Sequence, residues 1–396
     1  MIHSDSNCKE NILYINKKIA DGLCGNFRLP VRTINIALTN KCNLHCKICY
    51  LCSPDFENKT YNNETPFALS FEKYKNTFSK EWFQKHSING KSHAITFVHG
   101  EPFLVPEIYN ILAYTRTMLP RAYMSVVTNG TIPLSVLKKQ QEKSNICSDS
   151  LAQILSLISF SFDGYKSSTF ESIRTPAKYK NVYRNILEWV KEREQFAPNK
   201  NVFRFGVALS KRNINELPDI IKLAGKLGGF SGVYVQPLVN PKHVKELEEW
   251  MLENIKKEKG QRAIQKAYKL GEKYSLNVVI EDAILELFGI ADPMEEIAED
   301  DNKSARFCDG LWDGKLIIKT DGSLESLCCR FTGGRSAELM ERYNIPLNID
   351  AIDAYNSPEY WLLRKDFLEG KDDLLDSCIG CDHGKYAYKK FCRTTK

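Results

Sequence analysis

The sequence lacks the features that would place it in a membrane, outside the cell or on nucleic acid. No apolar run approaches the ~20 residues of a membrane span, and the opening MIHSDSNCKENILYINKK has no apolar core of a secretory signal. The net charge of +6 over 396 residues is a mild excess without a polybasic stripe, because Lys and Arg are interleaved with Asp and Glu. There is no low-complexity tract and no internal repeat. These absences predict a cytoplasmic protein with neither a membrane nor a nucleic-acid partner.

Cysteine, in contrast, is abundant, with 13 residues in the chain. Disulfides are rare in the cytoplasm, so clustered cysteines indicate metal binding. One cluster lies near the start of the chain and one lies beyond residue 300: Cys42, Cys46 and Cys49, then Cys308, Cys328, Cys329, Cys378, Cys381 and Cys392. The other four cysteines stand apart, and we expect them to be small buried or surface thiols.

Short apolar runs alternate with amphipathic helical stretches between residues 33 and 238. The runs are TINIALT (33–39), AITFV (94–98), YMSVV (123–127), LISFSF (157–162), VFRFGVAL (202–209) and GVYVQPL (232–238). This alternation predicts βαβ units and a parallel sheet. Six strands fit an open barrel better than a closed eight-stranded one, so the predicted fold is α/β, a partial (β/α)6 TIM-like barrel. Its chemistry is expected at the C-terminal ends of the strands, and the first cysteine follows the first run by three residues.

The composition changes after the predicted barrel. Residues 243–275 are charged and helical in pattern, and a further strand, LNVVIED, follows. The acidic, turn-rich segment 291–306 predicts a linker. We therefore expect an N-terminal extension (1–30), the barrel with its helical continuation (31–290), the linker and a small C-terminal domain (307–396). In that domain KLIIKTDGSLESLCC predicts a β-hairpin that turns at Asp321-Gly322, with a helix after it.

The first cysteine cluster has the spacing C-x3-C-x2-C and is one ligand short of a usual site. Structural zinc sites and iron–sulfur clusters usually take four protein ligands. An open coordination position is typical of a catalytic metal. The odd count therefore predicts a cluster that binds a small chelating ligand. The alternative is a zinc site that takes His45 as its fourth ligand.

This motif, followed by an aromatic residue and placed after the first strand of a βα series, resembles the radical S-adenosylmethionine (radical SAM) superfamily. The resemblance implies that Cys42, Cys46 and Cys49 hold a [4Fe–4S] cluster whose open iron binds the amino and carboxylate groups of SAM. It implies reductive cleavage of SAM to a 5′-deoxyadenosyl radical, which abstracts a hydrogen atom from the substrate. Tyr50 would lie near the adenine, and a donor such as flavodoxin or ferredoxin would supply the electron.

Further motifs at predicted strand ends agree with this resemblance. HGEP (99–102) resembles the family's GGEP, with His99 in place of the first glycine, and TNGT (128–131), SFDG (161–164) and VQPL (235–238) follow later strands. The cofactor contacts that the resemblance implies are Gly100, Glu101, Pro102, Thr128, Asn129, Ser161, Asp163, Arg174 and Gln236. Glu101 would accept a hydrogen bond from the SAM amino group, and Arg174 would pair with the SAM carboxylate. Ser161 and Asp163 would bind hydroxyl groups. Each motif alone is a common turn sequence, so their order along residues 30–240 carries the resemblance.

The second cysteine cluster resembles the C-terminal extension called SPASM in its long form and Twitch in its short form. Two [4Fe–4S] clusters need eight thiolates, and only six cysteines lie beyond residue 300. This arithmetic favours one auxiliary [4Fe–4S] cluster and the short form. Its implied ligands are Cys308, Cys328, Cys378 and Cys381. Cys329 could replace Cys328, and Cys392 would be a further ligand or a free thiol. Two cysteine pairs around a hairpin also fit a zinc ribbon.

A fully ligated auxiliary cluster would carry electrons, which favours an oxidation of a polar small molecule such as a sugar or aminocyclitol. A redox-neutral reaction would instead need a hydrogen donor, for which Cys329 and Cys392 are the candidate thiols. About 30 residues precede the first strand, too few for a peptide-recognition domain that folds alone. We therefore expect a small-molecule substrate. The alternatives are a ribosomal-peptide maturase that forms a crosslink or an epimer, and a non-catalytic zinc-binding protein.

Overall fold

The computed structural model describes residues 16–49, 67–86, 88, 93–240, 244–290, 309–312, 314–326 and 339–369. Its strands are β1 (Thr33–Ala37), β2 (Ala94–Val98), β3 (Tyr123–Thr128), β4 (Leu157–Ser161), β5 (Phe203–Leu209), β6 (Phe230–Pro237), β7 (Asn277–Ile280), β8 (Lys315–Ile318) and β9 (Leu324–Ser326). They form one sheet in the order β7-β6-β5-β4-β3-β2-β1-β8-β9. All neighbouring strands are parallel except β8 and β9, which are antiparallel.

Helices follow most of the strands. In chain order they are α1 (16–23), α2 (Phe71–Thr77), α3 (Lys80–Lys85), α4 (Ile108–Met118), α5 (Leu134–Glu142), α6 (Leu151–Ile154), α7 (Ser167–Ile173), α8 (Tyr179–Phe196), α9 (Leu217–Leu227), α10 (Lys245–Glu248), α11 (Lys257–Tyr274), α12 (Asp282–Leu287), α13 (Asp309–Trp312), α14 (339–342), α15 (Ala351–Tyr355) and α16 (Pro358–Leu368). Short 3-10 turns cover Pro102–Leu104, Ile214–Glu216 and Leu252–Asn254. In α8 the buried residues Val182, Ile186 and Trp189 recur every three or four positions, which is the spacing of an amphipathic helix on a core.

The predicted fold class is confirmed. The six predicted apolar runs are β1 to β6, and LNVVIED contains β7. In the described residues the edge strands β7 and β9 are not paired with each other, so the barrel stays open. Parallel pairing puts the carboxyl ends of β1 to β6 at one edge of the sheet, where the predicted motifs meet.

The C-terminal hairpin is also confirmed, and it lies in an unexpected place. Gly322 has φ +87° in the turn between β8 and β9, a conformation that favours glycine. β8 pairs in parallel with β1, so Ile34 lies opposite Leu316. The hairpin therefore extends the barrel sheet, and it covers an edge of β1 that would otherwise be unpaired. The domain boundaries stay a prediction, because the linker 291–306 lies outside the described residues.

The stretch 243–275 was expected to be helical, and its described part consists of two helices and a 3-10 turn between them. Within its described part, α10 and a 3-10 turn precede the long helix α11. The backbone N–H of Lys211 donates to the carbonyl of Trp250 at 2.7 Å, which ties the irregular part to the end of β5. Among the described residues, no helix combines the length and the apolar character that crossing a bilayer requires.

Candidate active site

The cysteine loop leaves β1 at the carboxyl edge of the sheet, and bonds from other segments hold it. The N–H of Glu101, beyond β2, donates to the carbonyl of Lys41 at 2.8 Å. The N–H of His45 donates to the carbonyl of Thr175, beyond α7, at 2.7 Å. The loop 41–49 is thus built by contacts distant in sequence rather than by regular secondary structure of its own.

The three cysteines of this loop differ in exposure. Cys46 is buried with 7% of its surface exposed, whereas Cys42 and Cys49 are half-buried. Burial raises the pKa of the Cys46 thiol to about 12, and the Arg174 guanidinium partly opposes this rise. A thiolate at this position therefore needs further positive charge beside it, which a bound metal cluster supplies. The donor set and its charge requirement fit an iron–sulfur cluster.

The HGEP segment approaches the cysteine loop closely. Gly100 has φ +53°, and a Cβ there would lie 2.3 Å from the carbonyl oxygen of Lys41. Only glycine combines that backbone conformation with that approach. His99, which replaces the first glycine of the family motif, also has a positive φ of 67°. Its Nδ1 lies 3.2 Å from Oε1 of Glu325 on β9, so this departure from the motif links β2 to the hairpin.

Glu101 is fully buried and joins the ends of β2 and β3. Its Oε1 accepts hydrogen bonds from the N–H of Phe103 at 3.1 Å and from Thr128 Oγ1 at 2.7 Å. Its Oε2 accepts from the N–H of Asn129 at 2.7 Å. Burial raises the pKa of Glu101 to about 7, although these bonds favour the charged form. Its predicted bond to the SAM amino group stays a prediction.

The TNGT segment touches the cysteine loop through Asn129. The Nδ2 of this residue lies 3.6 Å from Cys42 Sγ and 3.0 Å from Asn43 Oδ1. Its Oδ1 accepts a hydrogen bond from the N–H of Thr131 at 2.9 Å. The motif after β3 therefore lies against a predicted cluster ligand.

Asp163 and Arg174 form a buried ion pair beside the cysteines. Arg174 Nη2 lies 2.6 Å from Asp163 Oδ2, and Asp163 Oδ1 accepts from the N–H of Ala208 at 2.7 Å. Burial opposes the charge of Arg174, but Asp163 and the nearby Cys46 outweigh it, so the pKa of Arg174 is raised. Its Nε is buried and has no hydrogen-bond partner among the described residues. Asp163 thus orients Arg174, a role that the sequence did not reveal. The predicted contact between Asp163 and a hydroxyl group of the cofactor stays a prediction.

The remaining predicted residues divide into described and undescribed ones. Pro102 is buried at the first position of its 3-10 turn. Ser161 is half-buried at the end of β4, and Gln236 is exposed near the end of β6. The described residues do not include Tyr50, Cys308, Cys328, Cys329, Cys378, Cys381 and Cys392. The predicted auxiliary ligands and thiol donors therefore lie outside this description.

Sequence reasoning missed a small apolar cluster over the cysteine loop. Ile48, between Cys46 and Cys49, packs against a buried cluster that includes Leu247 and Trp250 from the segment after β6. The available signal was an isoleucine in the polar loop NLHCKIC and a tryptophan in a charged stretch. This cluster therefore contacts the loop between two of its cysteines.

A second polar feature lies away from the cysteines, in an open cavity of about 670 Å³ between α2 and the hairpin turn. Asp350 lines this cavity, and His86, Asp350 and Asp353 place possible ligand atoms within 4.8 Å of one another. However, Asp353 is paired with Lys85 at 2.6 Å and with Arg28 at 2.7 Å. These ion pairs indicate that the three residues stabilise the fold rather than bind a metal.

Comparisons with known proteins found similar chains among curated proteins and solved structures. No family model matches the chain. The GTP 3′,8-cyclase of Desulforamulus reducens is 24% identical over 202 residues, which are 51% of this chain and 54% of that protein. The chain thus matches about half the length of this curated relative.

Solved structures share the fold. Streptococcus suis SuiB bound to S-adenosylmethionine has a TM-score of 0.54 at 13% identity, covering 92% of this chain and 72% of that one. SuiB bound to its precursor peptide SuiA has a TM-score of 0.57 at 14% identity, covering 90% and 72%. The chain therefore shares its fold with these structures.

Proposed function

We propose that the chain is a radical SAM enzyme with its [4Fe–4S] cluster on Cys42, Cys46 and Cys49. The observation that carries this proposal is the convergence of separate strand ends on the cysteine loop. Gly100 lies against Lys41, Asn129 reaches Cys42, and Arg174 is buried beside Cys46. The sequence similarity to a GTP 3′,8-cyclase and the fold shared with SAM-bound SuiB support it.

The chain's own residues suit the roles that this proposal requires. When bound, the cluster and SAM would supply the electron and the 5′-deoxyadenosyl radical that abstracts a substrate hydrogen. Arg174 keeps one buried N–H donor without a described partner, and a guanidinium suits a carboxylate such as that of SAM. Asp163 fixes its orientation through the 2.6 Å ion pair. Ile48 packs against the buried cluster that contains Trp250, an apolar contact that would limit the access of water to that side of the loop.

One observation counts against a zinc ion that takes His45 as its fourth ligand. His45, the alternative fourth ligand, is exposed while Cys46 beside it is buried.

We further propose one auxiliary [4Fe–4S] cluster on the C-terminal cysteines, which would serve electron transfer in an oxidation. The hairpin that precedes Cys328 pairs with β1, the strand that leads into the cysteine loop.

Iron and sulfide content after anaerobic reconstitution tests this proposal. The wild type should bind about 8 irons, and Cys42→Ala/Cys46→Ala/Cys49→Ala should bind about 4, because each cluster holds four irons. Cys24→Ala, at an exposed cysteine outside both clusters, is the control and should retain the wild-type content. The wild type should also cleave SAM when reduced, and the triple variant should not. Absence of iron from the wild type would overturn the enzyme proposal.

The substrate proposal is a polar small molecule, and a ribosomal peptide is the second candidate. The fold shared with SuiB in its complex with the precursor peptide SuiA supports the second. Assays of the reconstituted enzyme with each kind of substrate distinguish the two candidates. A small-molecule substrate should be consumed together with SAM and leave a mass change in the metabolite. A peptide substrate should show the mass change in a precursor encoded near this gene. A loss of two mass units would support the oxidation, whereas an unchanged mass with an inverted centre would favour epimerisation.

A further inference from the structure

We infer that Asn129 sets the reduction potential of the SAM cluster by donating a hydrogen bond from its amide to the sulfur of Cys42. The distance from Nδ2 to Sγ is 3.6 Å, within the range of N–H···S bonds. This inference rests on the proposed function, because it requires the cluster on Cys42. It assigns the TNGT segment to the cluster sulfur, whereas the sequence resemblance assigned it to SAM.

The orientation of the amide follows from its other partners. The oxygen and nitrogen of an asparagine amide are told apart by the groups that face them. Oδ1 of Asn129 faces the backbone N–H of Thr131 at 2.9 Å, and a backbone N–H can only donate. The amide oxygen must therefore point to Thr131, and the NH2 group must point to Cys42. A flipped amide would leave that N–H facing another donor.

Neighbouring bonds hold the amide in this position. Asn43 Oδ1 accepts from Asn129 Nδ2 at 3.0 Å, and Asn43 Nδ2 donates to Thr131 Oγ1 at 2.8 Å. The Asn129 backbone N–H is fixed on buried Glu101 at 2.7 Å. Asn129 is 7% exposed, so water competes little for its donor. A donor that is positioned before the cluster assembles needs no reorganisation when the electron arrives.

The sign of the effect follows from electrostatics. Reduction adds negative charge to the cluster and its sulfurs, and a hydrogen-bond donor stabilises that charge. Cys42 Sγ also accepts from the N–H of Leu44 at 3.4 Å, a backbone donor that side-chain substitution leaves in place. Removal of the Asn129 donor should therefore make the potential more negative, while the second donor remains.

The test is a redox titration of the reconstituted full-length protein, monitored by electron paramagnetic resonance before SAM is added. The SAM cluster signal is identified by its loss in the triple cysteine variant. Asn129→Leu keeps the approximate size and removes the donor. At the wild-type midpoint, where half of the wild-type clusters are reduced, clearly fewer than half should be reduced in the variant. Asn356→Leu is the control, because Asn356 is buried to a similar degree and lies between α15 and α16. It should leave the midpoint unchanged.

Thr131→Val provides a second, milder variant. It removes the hydroxyl that contacts the side-chain amides of Asn43 and Asn129 but leaves Asn129 in place. It should shift the midpoint in the same direction by less. An unchanged midpoint in Asn129→Leu with the cluster bound would overturn the inference. Loss of the cluster from both variants with the fold intact would also overturn it, since Asn129 would then serve cluster retention. Absence of iron from the wild type would instead contradict the proposed function.

Discussion

At the scale of single residues, the buried carboxyl of Glu101 ties the site together. Its two oxygens accept three hydrogen bonds, from the 3-10 turn after β2 and from the end of β3. Burial raises its pKa from 4.5 to about 7. The folded protein therefore binds this proton more tightly than the unfolded chain does. The stability that comes from the bound proton is fully present below the unfolded pKa and is lost as the pH rises toward 7.

Glu101→Gln tests this balance. A glutamine offers one acceptor oxygen to three donors, so the variant should lose about 1–3 kcal/mol at pH 5. Because the wild type alone loses proton-linked stability above that pH, the deficit of the variant should shrink by pH 7.5. Urea denaturation of the cluster-free protein at both pH values measures it. Glu194→Gln, at an exposed position, is the control, with an expected change below about 0.5 kcal/mol. A stability deficit of Glu101→Gln that is the same at both pH values would contradict the raised pKa of Glu101.

At the scale of elements, the turn after β2 decides where the cysteine loop lies. Gly100 and Gly228 both have positive φ angles, +53° and +75°. They differ in their surroundings: a Cβ at Gly228 would meet no atom within 4 Å, whereas one at Gly100 would meet the carbonyls of Lys41 and Thr39 at 2.3 and 2.8 Å. Comparing a substitution at Gly100 with one at Gly228 therefore distinguishes the effect of backbone strain from that of a steric clash with the cysteine loop.

Gly100→Ala should displace the cysteine loop, and Gly228→Ala should not. Each substitution carries about 1–3 kcal/mol of backbone strain, and the first adds overpacking of about 1–3 kcal/mol. Gly100→Ala should lose most of the irons of the SAM cluster, while Gly228→Ala should keep them and lose stability alone. Iron content and urea denaturation measure both quantities. Equal iron content in the two variants would show that the close approach is unimportant.

At the scale of the whole molecule, the C-terminal helices join the hairpin edge of the sheet to the rest of the chain. Arg364 in α16 is fully buried, and its guanidinium donates to the carbonyls of Leu311 and Tyr355 at 2.9 and 2.8 Å. The rings of Tyr355 and Tyr360 each lie 4.3 Å from its Cζ. Tyr355 Oη in turn accepts from the N–H of Gly314, next to β8. These contacts hold the hairpin against β1.

Arg364→Met should destabilise the fold by about 2–4 kcal/mol, because two buried carbonyls lose a donor and the aromatic rings lose their cation. Lys365→Met, one position along the same helix, is the control. Its side chain is 43% exposed, so its effect should stay below about 0.5 kcal/mol. Thermal unfolding of both variants measures the difference. Equal effects would show that the aromatic enclosure contributes little.

The sequence by itself determined the features that depend on neighbours in the chain. The apolar runs predicted β1 to β7, because the alternation of strands and helices is a local pattern. Asp321-Gly322 predicted the hairpin, because a tight turn needs its own residue types. The order of the motifs at the strand ends predicted the family of folds, whereas the metal ligands that the cysteine spacing indicates stay a prediction.

Only the tertiary structure decided what those residues touch. The pairing of β8 with β1 joins positions more than 280 residues apart, and no local pattern encodes which edge a hairpin covers. The same holds for Asp163 against Arg174, for Asn129 against Cys42 and for His99 against Glu325. In each case the sequence identified a polar residue at a strand end. Which neighbour it binds depends on how parallel strands bring distant loops to one edge, and that arrangement arises only when the whole sheet packs.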